Sequence, residues 1–280
     1  MTGTKLAVLG SPISHSLSPT LHSAAYSCLG LDWRFSALDV DKDSFSSFIS
    51  SLTDDYRGFA VTMPLKQEAF SNAGTHDFLS SATQSTNTLV CSWESGNLSL
   101  TSYNTDVFGI VHALSDAGCT QARHVAIIGS GATAASGIAA AAQLGAEHVS
   151  IISRNANEGS LSQVAEAVGI PISFSSLGSC DELEPCDVAL STVPGTVELS
   201  LAGIPRREQS FLLDVAYSPW PSQRAIEWKK QSGIAVSGLE MLLRQALIQV
   251  RIFVLGSPDN ELENESEVFD AMRSALSHRQ

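Results

Sequence analysis

The sequence predicts an α/β protein of two domains built on mostly parallel sheets, and three observations carry that expectation. Short apolar runs alternate with helical patterns from one end of the chain to the other, as strands alternating with crossover helices require. One of those runs leads through a glycine-rich turn into a helix of small residues. The 280 residues, 44% hydrophobic and 16% charged, suffice for two cores of ordinary size and are too apolar for a disordered chain. No internal repeat is visible.

In chain order, the first strand spans residues 5–10 and enters the loop Ser11-Pro12-Ile13-Ser14-His15-Ser16-Leu17. Ser18 as N-cap and Pro19 in the first turn then start a helix over 19–29, closed by Gly30. Residues 59–61 read as a strand ending at Thr62, and Pro64 opens a helix with Lys66 on its first turn. A helix begins near Asp106, because Val107, Ile110, Val111 and Leu114 recur at helical spacing before Gly118 stops it. A fresh α/β series follows: strands at 124–128, 149–152, 188–192 and 211–215, with a helix over 133–144. This places a domain boundary near residues 104–122. Two helices, 238–254 and 265–278, complete the chain. The acidic residues Asp259, Glu261, Glu263, Glu265 and Glu267 read as a solvated face with helix N-terminal charge, not as a metal site.

The 16 Lys and Arg against 29 Asp and Glu give a net charge of −13, which repels phosphate backbones and anionic lipid and argues against nucleic acid and membrane surfaces as partners. No apolar run approaches the length of a membrane-spanning helix, and the N-terminus passes directly into a strand with no signal-peptide core, so a cytoplasmic protein is expected. The five cysteines Cys28, Cys91, Cys119, Cys180 and Cys186 form no C-x-x-C pair. They read as partly buried fillers in a reducing compartment, with neither a disulfide framework nor a metal site implied.

Gly129-Ser130-Gly131-Ala132-Thr133-Ala134 fits G-x-G-x-x-A between a strand and a helix. The first glycine permits the tight turn, the second lets backbone approach a pyrophosphate, and Ala134 allows close packing, leaving the anion on the helix N-terminus. An unliganded glycine-rich turn is the plainer alternative. About 20 residues on, the strand ends in Ser153-Arg154-Asn155, where an NAD site usually places an acid. An arginine there can pair with a ribose 2′-phosphate, so NADP is favoured over NAD. A solvated loop arginine is the competing reading, with Glu158 nearby.

Three polar segments remain: Ser14-His15-Ser16-Leu17-Ser18-Pro19, Val61-Thr62-Met63-Pro64-Leu65-Lys66 and Ser102-Tyr103-Asn104-Thr105-Asp106. With Thr86-Asn87-Thr88-Leu89, they resemble the signature segments of the shikimate dehydrogenase family. Asp214-Val215-Ala216-Tyr217-Ser218-Pro219-Trp220-Pro221 and Ser237-Gly238-Leu239-Glu240-Met241-Leu242-Leu243-Arg244-Gln245-Ala246 continue the resemblance through most of the chain. Departures from the family pattern are Ala60 in place of an Asn, Gln84-Ser85-Thr86 in place of Gly-Ala-Val, and Ala132-Thr133 in place of Gly-Ala.

The resemblance implies a substrate-binding domain at 1–104, joined by returning C-terminal helices at 239–280, and a Rossmann-type NADP-binding domain at 105–238. It puts Ser16 and Ser18 on the substrate carboxylate, Thr62, Asn87 and Gln245 on ring hydroxyls, and Tyr217 beside the substrate. Lys66 and Asp106 become the catalytic pair. For the cofactor it gives Gly129, Ser130, Gly131, Ala132 and Thr133 on the pyrophosphate and Ser153 and Arg154 on the adenosine ribose and its phosphate. Thr192, Val193, Pro194, Val215 and Gly238 fall near the nicotinamide. The residue types suit the chemistry independently: when a carbinol yields hydride its hydroxyl proton must also leave, and a lysine beside a carboxylate can hold and relay it. Taken singly, a lysine and an aspartate in first helical turns are ordinarily surface or capping residues. His15 reads as a loop-shaping hydrogen-bonder rather than a base.

The implied reaction is reversible reduction of 3-dehydroshikimate to shikimate with NADPH, in aromatic amino acid biosynthesis. An NAD-preferring quinate/shikimate dehydrogenase is the alternative, with Arg154 and Ser18 against it, because relatives accepting quinate often carry threonine at the second position. A non-catalytic dinucleotide-binding regulator is a second alternative, opposed by the joint presence of Lys66 and Asp106. The sequence leaves open whether the chain is a monomer or a homodimer.

Overall fold

The computed structural model describes residues 4–154, 158–176 and 183–277. Cys180, Asn155 and the predicted helix end at His278 lie outside them. The chain forms two compact units, one of residues 1–105 with 245–280, the other of residues 106–244. The second crossing falls inside the helix predicted at 238–254, not ahead of it. Arg244 explains the place, because its Nε donates to Asp116 Oδ2 at 2.7 Å and keeps the first turns of that helix with the second unit.

In the first unit, strands β1 (Lys5–Gly10), β2 (Arg34–Asp39), β3 (Tyr56–Val61), β4 (Thr75–His76), β5 (Thr88–Glu94) and β6 (Asn97–Tyr103) form one sheet in the order β2-β1-β3-β5-β6-β4. β1 is central and parallel to both neighbours, and its uninterrupted apolar run is buried as such strands require. This sheet is mixed, correcting the mostly parallel expectation. β5 and β6 pair antiparallel with each other, as β3 does with β5. The β5–β6 hairpin turns at Ser95 (φ 51°) and Gly96 (φ 81°), the two left-handed residues that a two-residue hairpin turn demands.

Helices α1 (Ser18–Cys28), α2 (Lys42–Ser50), α3 (Lys66–Asn72) and α4 (Phe78–Thr83) connect these strands. Leu9, Phe45, Phe59, Leu65 and Leu89 are central to the core beneath them. Leu17, not Ser18, occupies the N-cap of α1, and no side chain caps it. Ser18 is instead its first residue, which frees the hydroxyl from capping.

In the second unit α5 (Asp106–Asp116) precedes β7 (His124–Ile128), α6 (Ala132–Gln143), β8 (His148–Ile152), α7 (Glu158–Val168), β9 (Ile172–Ser175), β10 (Cys186–Ser191), β11 (Arg206–Asp214), α8 (Gln223–Lys230) and β12 (Ile234–Ser237). The sheet order is β12-β11-β10-β7-β8-β9, parallel throughout. That is the doubly wound arrangement, in which the winding reverses between β7 and β10 and leaves a crevice at the strands' carboxyl ends. Ile128, Ile152, Leu212 and the fully buried Trp228 belong to its core.

The remaining helices are α9 (Gly238–Leu255) and α10 (Glu265–Ser277). α10 packs against α1, and in the 245–255 part of α9 Phe253 lies so close to β3 that a Cβ at Gly58 would stand 2.6 Å from its ring. Glu265 is not part of a solvated face. It is largely buried and ion-paired with Arg251. Cys28 is exposed, unlike Cys91, Cys119 and Cys186, which are buried. No helix among the described residues is long and apolar enough to cross a membrane, and they hold no group of three or more metal-ligating side chains.

Candidate active site

In the first unit the predicted substrate residues gather where β1 and β3, adjacent parallel strands, reach their carboxyl ends. The Ser16 N–H donates to the Ile13 carbonyl at 3.0 Å and the Ser18 N–H to Ser16 Oγ at 3.3 Å, tying the two serines into one turn. Ser18 is buried, Ser16 half-buried and His15 exposed, so the loop is shaped by the serines and not by the histidine. Thr62 donates its N–H to the Leu9 carbonyl at 2.9 Å. Gly10 makes that approach feasible, because a Cβ there would lie 2.6 Å from Thr62 Cγ2. Lys66 is half-buried as the first residue of α3, and its carbonyl accepts the Thr86 N–H at 3.0 Å. The lysine is thereby tied to the segment that carries Asn87.

Asn87 is 2% exposed, and its side-chain amide is held at both ends. Oδ1 accepts the Thr105 N–H at 2.8 Å and the Thr88 hydroxyl at 2.9 Å, which fixes the amide's orientation. Nδ2 donates to Thr105 Oγ1 at 2.9 Å and Gln245 Oε1 at 3.1 Å. The structure thus brings two residues assigned to ring hydroxyls, Asn87 and Gln245, into direct contact. Behind them stands a layer that the sequence reading did not identify. Gln249 Nε2 donates to the Asn87 carbonyl and to Thr88 Oγ1, each at 3.0 Å. Its Oε1 therefore faces His22 Nε2 at 3.1 Å as an acceptor, making Nε2 the protonated nitrogen and leaving Nδ1 to accept from the Tyr26 hydroxyl at 3.1 Å. Burial pushes the His22 pKa down to about 3, so the imidazole is neutral. The available signal was the spacing of Gln245 and Gln249: two amides one turn apart on an otherwise apolar helix face must find partners inside.

In the second unit Asp106 is 5% exposed, the first residue of α5, and next in the chain after Thr105. The predicted cofactor residues follow the carboxyl ends of five parallel strands: Gly129 to Thr133 after β7, Ser153 and Arg154 after β8, Thr192 to Pro194 after β10, Val215 after β11 and Gly238 after β12. Gly129 has φ +117° and a Cβ there would meet Thr192 Oγ1 at 2.2 Å, so no other residue fits. Gly131 is the N-cap of α6, makes no side-chain capping bond and has open space where a Cβ would point. First-turn N–H groups of α6 are thus left for an anion. Ser153 Oγ is buried with no hydrogen-bond partner, and exposed Arg154 follows it. A first glycine closed to any Cβ, an uncapped helix start and an orphaned hydroxyl beside an arginine fit a phosphorylated dinucleotide. Gly238 has its own reason, since a Cβ would lie 2.1 Å from the Val215 carbonyl oxygen. Tyr217 is 36% exposed.

Comparison with known proteins gives the geometry its context. Residues 8–89 match the family model described as the shikimate dehydrogenase substrate binding domain. A shikimate dehydrogenase (NADP(+)) of Rhizobium etli is 30% identical over 267 residues, covering 88% of this chain and 87% of that protein. The chain belongs to the shikimate dehydrogenase family. The crystal structure of Mycobacterium tuberculosis shikimate dehydrogenase superimposes with a TM-score of 0.80 and 32% identity, covering 99% of this chain and all of that one. A shikimate 5-dehydrogenase from Mycobacterium fortuitum follows at 0.78 and 33%, with 97% of each chain covered.

Within this shikimate dehydrogenase family chain, two of the departures from the family pattern lie inside the first core. Ala60 is buried in β3, and Thr86 is buried with its hydroxyl 2.8 Å from Ser80 Oγ. Gly137 is a packing residue that the sequence reading passed over. A Cβ there would lie 2.4 Å from Leu190 Cδ2, so α6 makes its closest approach to the sheet one turn beyond Ala134.

Proposed function

We propose that this chain catalyses the reversible NADPH-dependent reduction of 3-dehydroshikimate to shikimate, a step of aromatic amino acid biosynthesis. The observation that carries the reading is membership of the family; the residues assigned to the substrate, Ser16, Ser18, Thr62, Lys66, Asn87 and Gln245, all belong to the first unit. NADPH supplies the hydride that reduces the substrate carbonyl. Lys66 donates a proton to the oxygen and stabilises the negative charge that develops on it, while Asp106 orients the neighbouring hydroxyl by accepting its hydrogen bond. Hydroxyls of Ser16 and Ser18 donate to the substrate carboxylate. Thr62, Asn87 and Gln245 hold the ring hydroxyls, and Tyr217 flanks the ring. Because the Asn87 amide is oriented before substrate arrives, little reorganisation remains when it binds.

Gly129, Ser130, Gly131, Ala132 and Thr133 receive the pyrophosphate, and Ser153 with Arg154 the phosphorylated ribose. Thr192, Val193, Pro194, Val215 and Gly238 form the nicotinamide side. Arg154 in place of an acid favours NADP, with NAD a secondary cofactor. The excess of negative charge supports a small-molecule partner over nucleic acid. The test is the absorbance change at 340 nm with shikimate or quinate, each with NADP+ and NAD+. Turnover fastest with shikimate and NADP+ is expected. Preference for quinate and NAD+ would install the quinate/shikimate reading, and cofactor binding without turnover would install the regulator.

A further inference from the structure

The segment after β10, Thr192 to Val197, forms one wall of the crevice at the point where the winding reverses. Its first residue is anchored to β7: the Thr192 N–H and Oγ1 both donate to the Ile128 carbonyl, at 2.8 and 2.9 Å. Val193, next in the chain, packs against the apolar core of the unit. A cavity of about 610 Å³ separates the segment from the start of α8, lined by Gly195, Val197, Leu199, Gln223 and Glu227 among others. Past Val193 the contacts that tie the segment down are also polar and charged. Arg224 and Asp214 form an ion pair whose side chains are 3% and 0% exposed. Arg224 Nε donates to Asp214 Oδ2 at 2.9 Å and Nη2 to Oδ1 at 3.1 Å, a bidentate contact. Nη1 donates to the Val197 carbonyl at 3.0 Å, and the Pro194 and Val193 carbonyls lie at 3.5 Å. Asp214 is held from the other side by the Ser222 hydroxyl at 2.6 Å and the Ala216 N–H at 3.3 Å.

We propose that Arg224 is a positioning residue for the nicotinamide half of the cofactor: paired with Asp214, it sets the course of Val193 to Val197 and the start of the Val215 turn, fixing the crevice wall. The inference rests on the cofactor reading above. A buried ion pair is an expensive means of plain stability, since apolar residues of similar volume often stabilise as well or better. What a guanidinium adds is a rigid fork of five donors, and here that fork joins two loops and the first turn of α8. No motif predicts Arg224, because the residues it connects are brought together by the sheet and not by sequence spacing.

The experiment compares wild type with Arg224→Met and Arg224→Lys, each checked for folding by circular dichroism and thermal unfolding. It measures KM for NADPH, kcat, and the Kd of 2′,5′-ADP, which occupies only the adenosine side formed by residues 129–133 and 153–154. The expected result is 2′,5′-ADP affinity within about twofold of wild type, NADPH KM raised ~10-fold and kcat lowered ~10-fold, with Arg224→Lys restoring little because an ammonium cannot span both partners. Should Arg224→Met not fold, Ser222→Ala, which removes the bond to Asp214 and the N-cap bond from the Ala225 N–H but leaves the ion pair, is expected to give the same split at ~3-fold. Unchanged NADPH KM and kcat in folded variants would overturn the proposal, as would equal weakening of 2′,5′-ADP and NADPH. A wild type that binds neither would instead remove the cofactor reading itself.

Discussion

Asn87 and Arg154 represent two ways of building a binding site. In the first unit, the proposed recognition rests on buried side chains that satisfy one another: Tyr26, His22, Gln249, Thr88, Asn87, Thr105 and Gln245 form one hydrogen-bonded series through the interior. In the second, the proposed cradle is backbone: a left-handed glycine, an uncapped helix start and strand ends in register, with a single exposed arginine proposed to discriminate between cofactors. Side-chain networks in a low-dielectric interior are rigid and intolerant of a lost member. A backbone cradle tolerates exchange of most of its side chains but not of the left-handed glycine at 129.

The difference can be broken at several points. The largest effect is expected from Lys66→Ala, which should lower turnover by ~10²-fold or more while leaving NADPH affinity within a factor of about two, because the lysine acts on the proton and the developing charge. Steady-state rates together with fluorescence titration of NADPH check this. Asn87→Leu comes next. It strands the Thr105 N–H, Thr88 hydroxyl and Gln245 amide in a dry interior, so urea unfolding should show a loss of ~2–4 kcal/mol along with loss of shikimate binding.

His22 gives a smaller, pH-dependent effect with a definite sign. Its folded pKa, near 3, lies below the ordinary 6.5, so the unfolded chain binds a proton that the folded chain refuses. The stability this represents is complete above pH 6.5 and is lost as pH falls toward 3, at a slope of up to ~1.4 kcal/mol per unit from this group. Urea unfolding at pH 7, 6 and 5 should therefore show a shallower pH dependence in His22→Gln than in wild type. The smallest effect belongs to Arg154→Ala. An exposed charge is screened, so the NADP/NAD ratio of kcat/KM should fall only ~10-fold at low salt and less at moderate salt.

The two halves also differed in how far the sequence revealed them. The doubly wound sheet was legible because its information is local: β7, the Gly129 turn and α6 are contiguous, and observed and predicted bounds agree within a residue or two. The first sheet was misread as mostly parallel because the β5–β6 hairpin depends on a Ser95-Gly96 turn between strands of irregular burial, a weaker signal than a buried run. Lys66 and Asp106 stood out only through resemblance, since nothing local distinguishes them from surface residues. Arg224 and His22 were invisible for a common physical reason. Their partners lie up to 227 residues away, and a buried polar side chain acquires meaning only from what the fold places beside it.

The division of labour between the units is tested most directly by the Michaelis constants of Ser16→Ala. Ser16 belongs to the first unit, and its proposed contact with the substrate carboxylate lies away from the reacting carbon and is held equally in ground and transition states. The account predicts a shikimate KM raised ~10-fold or more, as loss of a hydrogen bond to a charged group implies, with KM for NADP+ and kcat each within about twofold of wild type. A variant that raised both Michaelis constants alike, or lowered kcat alone, would contradict it.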